Sequence, residues 1–143
     1  GSGGALGIYD LSETALGEPV MKLQRLAPTC LGSSQIRRIG RPGKRDLLAM
    51  TCDFENALLL YDDEAGAVAA RIALGQDGRP LLGRQPFGLA VESREAGRCL
   101  SGAGPCVRLY VGSFDRSWVS LLELDPAAPT SVSLVKRIGR ERD

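Results

Sequence analysis

The feature that most restricts what this chain can fold into is a segment that occurs twice. Leu47 to Asp63 aligns without a gap on Leu109 to Asp125, at an offset of 62 residues (109 − 47). Each copy is a short apolar run, a small hydroxyl residue (Thr51, Ser113), an Asp two positions later, a polar turn, and a second apolar run closing on Asp. Runs of this length, rich in branched and aromatic residues and punctuated by Gly, Ser, Asp and Asn, read as β-hairpins. The turn has a mechanism. An Asp side chain accepts hydrogen bonds from nearby backbone amides and favours a tight reversal, which marks Asp53 and Asp115 as turn-stabilising residues.

The unit extends on both sides of this hairpin. Asp62 to Gly66 forms a turn before a further strand at Val68 to Leu74; in the later copy, Asp125 to Pro129 precedes a strand at Ser131 to Ile138. Arg71, Lys136 and Arg137 suit edge strands, which resist pairing with other chains by carrying charge. A strand also stands in front of each hairpin, at Gln35 to Ile39 and at Pro86 to Val91. Leu6 to Leu11 echoes Leu58 to Asp63, with Tyr9 52 residues before Tyr61 (61 − 9), and a strand at Val20 to Leu26 follows it.

The chain therefore reads as all-β: a partial β-propeller of about two and a half four-stranded antiparallel blades. Residues 1–4 are a linker or tag remnant, 5–27 the outer half of a blade, 28–75 a complete blade, and 76–143 a complete blade with an inserted loop at 92–106. The repeat spacing exceeds the roughly 40–50 residues of a common blade, and the insertion accounts for the excess. A two-sheet β-sandwich is the alternative architecture. Since propellers close with about four to eight blades, two and a half predict apolar faces on the terminal sheets that further blades or partner chains must cover.

Charge and composition remove several classes of function. Lys and Arg number 18 against 17 acids, so no strong field steers the chain to nucleic acid or an anionic surface. The densest basic stretch, Arg37 to Arg45, has no interleaved aromatic residue on which bases would stack. No apolar run approaches the ~18 residues of a membrane span. There is no histidine, which removes histidine-based triads, His-ligated metals and axial-His haem from the chain. No Walker loop, dinucleotide fingerprint or haem-attachment motif is present. Asp53 and Asp115, repeated at corresponding turns, supply the oxygen chemistry calcium or magnesium takes. The simpler reading is that each serves its own turn, so no metal, cofactor or catalytic residue is assigned. Asp62-Asp63-Glu64 reads as a solvated hairpin tip. Trp118 is either a blade-to-blade packing residue or an aromatic on a binding face.

The four cysteines favour disulfides, because their spacing is not that of a zinc site. In an antiparallel hairpin the start of one strand faces the end of the next, which brings Cys30 to Cys52. Cys99 and Cys106 would close the inserted loop. Disulfides imply a periplasmic or extracellular location.

Arg108 to Asp125 resembles the YVTN-type β-propeller repeat, a Leu-Tyr-Val run and short polar turn followed by a second strand closing on Asp. Pro86 to Val91 is similar to the inner strand of such a blade, and Leu47 to Asp63 is a weaker copy in which Met50 and Cys52 replace small or polar residues. The resemblance implies radial four-stranded blades in a family that includes secreted binding proteins, lactonase-like hydrolases and quinoprotein relatives. No catalytic residue of that family matches a position here. The expectation is a non-catalytic binding or scaffolding segment of an exported propeller, completed by other blades or protein chains as a hetero- or homo-oligomer. The alternative is a portion of a lactonase-like hydrolase or quinoprotein-like oxidoreductase whose active site lies outside this chain. A structural subunit that closes its ring only with another chain is a third reading.

Overall fold

The structure, a computed structural model, describes residues 3–100, 104–115 and 118–139. Ten strands follow in order: β1 (Ala5–Glu13), β2 (Pro19–Pro28), β3 (Ser33–Arg41), β4 (Lys44–Cys52), β5 (Ala57–Asp62), β6 (Ala67–Ile72), β7 (Pro86–Arg94), β8 (Cys106–Ser113), β9 (Trp118–Asp125) and β10 (Ala128–Gly139). They form three antiparallel sheets. Sheet I is the β1–β2 hairpin, sheet II has the order β3-β4-β5-β6, and sheet III has the order β7-β8-β9-β10. Among the described residues, no helix is long and apolar enough to cross a membrane.

Local chemistry sets the turns. Pro42 followed by Gly43 at φ 69° closes β3 onto β4, the residue order a type II reversal requires. Asp62 closes β5: its Oδ1 accepts from the backbone N–H of Glu64 (2.9 Å) and of Ala65 (3.2 Å). The turn between β4 and β5 is built differently from its sequence reading. A short 3-10 segment, Asp53–Glu55, ends on Asn56 in the left-handed region, and Asp53 Oδ1 is buried without a hydrogen-bond partner. Asn56 does the polar work instead, accepting from the N–H of Gln85 at 3.0 Å. Asp115 lies exposed in the bend after β8, and the rest of its expected turn, residues 116–117, falls outside the described residues.

Two boundaries differ from expectation. Gly4 is not linker: its N–H donates to Cys30 O (3.1 Å), and its carbonyl accepts from Thr29 N (2.9 Å). Gly1 and Ser2 lie outside the described residues. The inserted loop starts at Glu95 rather than residue 92, because β7 continues pairing as far as Arg94 opposite Cys106; residues 101–103 of that loop are also outside the description.

Sheet II lies between the other two. One core joins its Ile39, Leu47, Ala49, Leu58 and Leu60 to Leu89, Val107, Leu109, Val111, Leu122 and Leu124 of sheet III. A second core, on its opposite face, joins Met50, Leu59 and Tyr61 to Leu6, Ile8 and Ala27 of sheet I. Like strands lie over like: β3 packs on β7, and β6 on β10. They also run the same way. Phe87 and Leu89 of β7 bond to Thr51 and Gln35, whereas the far end of β3, at Arg41 and Pro42, adjoins Gly104, Pro105 and Asp125. Consecutive meanders stacked in parallel are the arrangement of neighbouring blades, not of a sandwich whose strands cross between sheets.

This stacking corrects the repeat offset. The pair Leu48↔Tyr61 faces sheet I, and the pair Leu109↔Leu122 faces sheet II. Corresponding positions therefore lie 61 apart (109 − 48, and 122 − 61) rather than 62. A slip of one residue in a strand exchanges its two faces, so the gapless sequence match paired residues pointing opposite ways.

Candidate functional site

Sheet I has only two strands, and its outward side is apolar. β1 alternates throughout, Leu6 and Ile8 inward and Tyr9 and Leu11 outward, while a bulge at Gln24 shifts β2, so that Ala27 points inward but Leu23 and Met21 point out. The outward side carries the pairs Tyr9↔Leu23 and Leu11↔Met21, with Leu26 opposite Gly7. The Tyr9 ring lies over Gly7, where an added Cβ would come within 2.7 Å of it. Leu11, Met21 and Leu26 are 77%, 66% and 64% exposed. Scattered exposed leucines need no explanation, but a contiguous stripe of this kind marks an interaction surface. Among the described residues β1 pairs with β2 alone. The hairpin also leaves part of sheet II uncovered, since Ile36, paired with Met50 on the same face, is 41% exposed.

The opposite end of the stack carries a polar network. On the outer face of sheet III, Arg108 pairs with Glu123 (3.2 Å), which is 5% exposed and also accepts from Leu100 N–H at 2.7 Å. Glu92 accepts from the Tyr110 hydroxyl (2.7 Å) and from Arg94 (3.2 Å). The Tyr110 hydroxyl and then the Arg94 guanidinium hold the Glu92 carboxyl below the usual carboxylate range, and Glu92 in turn pushes the Tyr110 hydroxyl up. The expectation of apolar faces at both ends thus holds for the hairpin and only in part for sheet III, where Glu92, Arg94, Arg108, Tyr110 and Glu123 share the outward face with Ala90, Val119 and Leu121.

The cysteines form two bonds, Cys30–Cys52 with Cα atoms 5.7 Å apart and Cys99–Cys106 with Cα atoms 6.0 Å apart. The first ties the start of β3 to the end of β4. Closing 22 residues restricts the unfolded chain by about 3 kcal/mol in the loop-entropy estimate. The second closes the inserted loop beside Glu123, with ligand-type atoms of Cys99, Cys106 and Glu123 within 4.8 Å of one another. With both sulfurs bonded to each other, this trio is not a metal site.

Trp118 is half-buried at the start of β9, beside β10 of its own sheet and the β6–β7 connection. Arg137 stacks on its ring at 4.8 Å, and Gly83 passes so close that an added Cβ would lie 2.5 Å from its Nε1. With Phe87 and Phe114, which meet edge to face at 5.1 Å, it rims a hollow of about 410 Å³ whose floor includes Gly88 and Gly112. The tip Asp62-Asp63-Glu64 is more structured than a solvated run. Arg41 donates to both Asp62 oxygens (3.0 and 2.6 Å), and that contact, opposed by desolvation, holds the carboxyl below its usual range. No protein-family model, curated protein or solved structure matches this chain.

Proposed function

We propose that this chain is a non-catalytic binding or scaffolding segment of an exported β-propeller of the YVTN type, taking β-structure from a partner on the open side of its N-terminal hairpin. The observation that carries this reading is the contrast between a two-stranded sheet with an exposed apolar stripe and two complete four-stranded sheets beside it. A sheet edge with unpaired backbone groups is a template for strand addition. The side chains next to it, Tyr9, Leu11 and Leu23, supply apolar area that association removes from water. The two disulfides are of the kind found in extracellular and periplasmic proteins, which supports export.

Sedimentation over a range of protein concentrations tests the reading. The mass is expected to rise above the 15.2 kDa of one chain. A Leu11→Lys/Met21→Lys/Leu23→Lys variant is expected to stay monomeric with an unchanged far-ultraviolet spectrum. A wild-type chain that remains at one-chain mass throughout, with its hairpin as accessible to solvent probes at high concentration as at low, would count against it.

A further inference from the structure

Sheets II and III present corresponding positions to whatever lies beyond them, so the two faces compare residue by residue. The pairs Leu47↔Asp62 and Ile39↔Leu47 of sheet II correspond to Arg108↔Glu123 and Glu92↔Arg108 of sheet III. Where sheet II carries Ile39, Leu47 and Ala49, all fully buried against sheet III, sheet III carries Glu92, Arg108 and Tyr110. On the first two strands, apolar residues that receive a neighbouring sheet are replaced by charged and hydroxyl groups that pair among themselves, while on β9 Val119 and Leu121 keep the apolar character of Leu58 and Leu60.

The groups that seat the next first strand are also replaced. On sheet II, Gln35 Oε1 accepts from Leu89 N–H (3.2 Å), and Thr51 donates to the Phe87 carbonyl (3.2 Å). The corresponding residues of sheet III are Gly88 and Gly112, which have no side chain to offer. Finally, the disulfide-closed loop lies on this face, its Leu100 N–H bonded to Glu123.

We propose that the outer face of sheet III is a built-in cap: it docks no further sheet, and the stack takes partner β-structure from the hairpin side alone. Repeat proteins need polar outer faces at their ends for solubility, and here that role falls to Glu92, Arg108, Tyr110 and Glu123. Glu92, Arg94, Arg108 and Glu123 on this face pair within the same sheet or its own loop, so this network is satisfied without a neighbour.

The test begins from the hairpin-lysine variant, in which sheet III is the one remaining face for association. It is expected to be monomeric. Adding Glu92→Ile, Arg108→Leu, Tyr110→Ala and Glu123→Leu, which gives sheet III an apolar face, is expected to restore self-association. Because that variant risks misfolding, carbodiimide labelling of Glu92 in the wild-type chain supplies a second readout; its side chain is 42% exposed. Labelling is expected to stay constant as concentration rises. Association that survives the hairpin lysines, or Glu92 labelling that falls as mass rises, would overturn the cap. A wild-type chain that never associates would remove the proposed function and leave the cap to be judged by the apolar variant: gain of association supports it, and a folded but still monomeric variant overturns it.

Discussion

The two ends of this three-sheet stack lack a neighbouring sheet in the same way, yet they are built from opposite chemistry. The hairpin turns Tyr9, Leu11, Met21, Leu23 and Leu26 outward, uncovered. Sheet III turns Glu92, Arg94, Arg108 and Tyr110 outward and lays a disulfide-closed loop beside Glu123. The difference teaches that strand pattern alone does not say which face of a repeat is an interface. Both ends alternate as half-buried strands do; what separates them is whether outward side chains satisfy one another. Paired ions on a strand face are soluble without a partner, whereas exposed apolar area is stabilised by one.

The sharpest way to break the comparison is to move a residue from one face to the other. Leu47→Arg puts the side chain found at position 108 into a fully buried site whose cross-strand acid, Asp62, is already held by Arg41. A loss of at least about 4 kcal/mol is expected, enough to prevent folding of a marginal domain. The reverse move, Arg108→Leu, strands the buried Glu123 carboxylate and is expected to lose about 3 kcal/mol. Removing both charges in Arg108→Leu/Glu123→Leu should return stability to within about 1 kcal/mol of wild type, because two apolar groups replace a pair that was desolvated together. Urea unfolding of the three variants decides. A double variant no more stable than Arg108→Leu would mean that Arg108 and Glu123 are not coupled as the geometry requires.

A smaller effect separates the ion pairs by pH. Arg41 lowers the Asp62 value in the folded state, so the stabilisation is present above the unfolded value of about 4 and is lost as pH falls from there through the folded value. Asp62→Asn is therefore expected to lower stability at neutral pH by under about 2 kcal/mol and to flatten the acid end of the profile. Stability measured from pH 7 downward checks this, and a profile as steep in the variant as in the wild type would exclude Asp62 as a source of the acid loss.

Much of the fold was legible in the sequence. The internal repeat and the turns bearing Asp, Gly or Pro located all ten strands, hairpin geometry brought together Cys30 with Cys52, and the inserted loop brought together Cys99 with Cys106. What escaped has physical causes. The repeat offset was one residue out because matching apolar runs does not see which face each residue occupies, and in this hairpin the best letter match is one residue away from the match of faces. The outward stripe of the hairpin was hidden by the bulge at Gln24, which changes the parity of β2 partway along and turns Leu23 and Met21 to the same side as Leu26. The burial of Glu123 depends on a loop distant in sequence, and nothing in its own strand announces it. Asp53 was the reverse case: its residue type favours a turn bond that the 3-10 geometry, ending on Asn56, does not use.

Amide hydrogen exchange on the dilute, oxidised chain tests the asymmetry of the two ends most directly. At the capped end, β9 (Trp118–Asp125) should be protected to the same degree as β5 (Ala57–Asp62), which lies inside the stack. At the open end, β1 and β2 should exchange fast and slow down as protein concentration rises. A hairpin as protected as β5 in the dilute monomer, or a β9 that exchanges as freely as β1, would contradict the account.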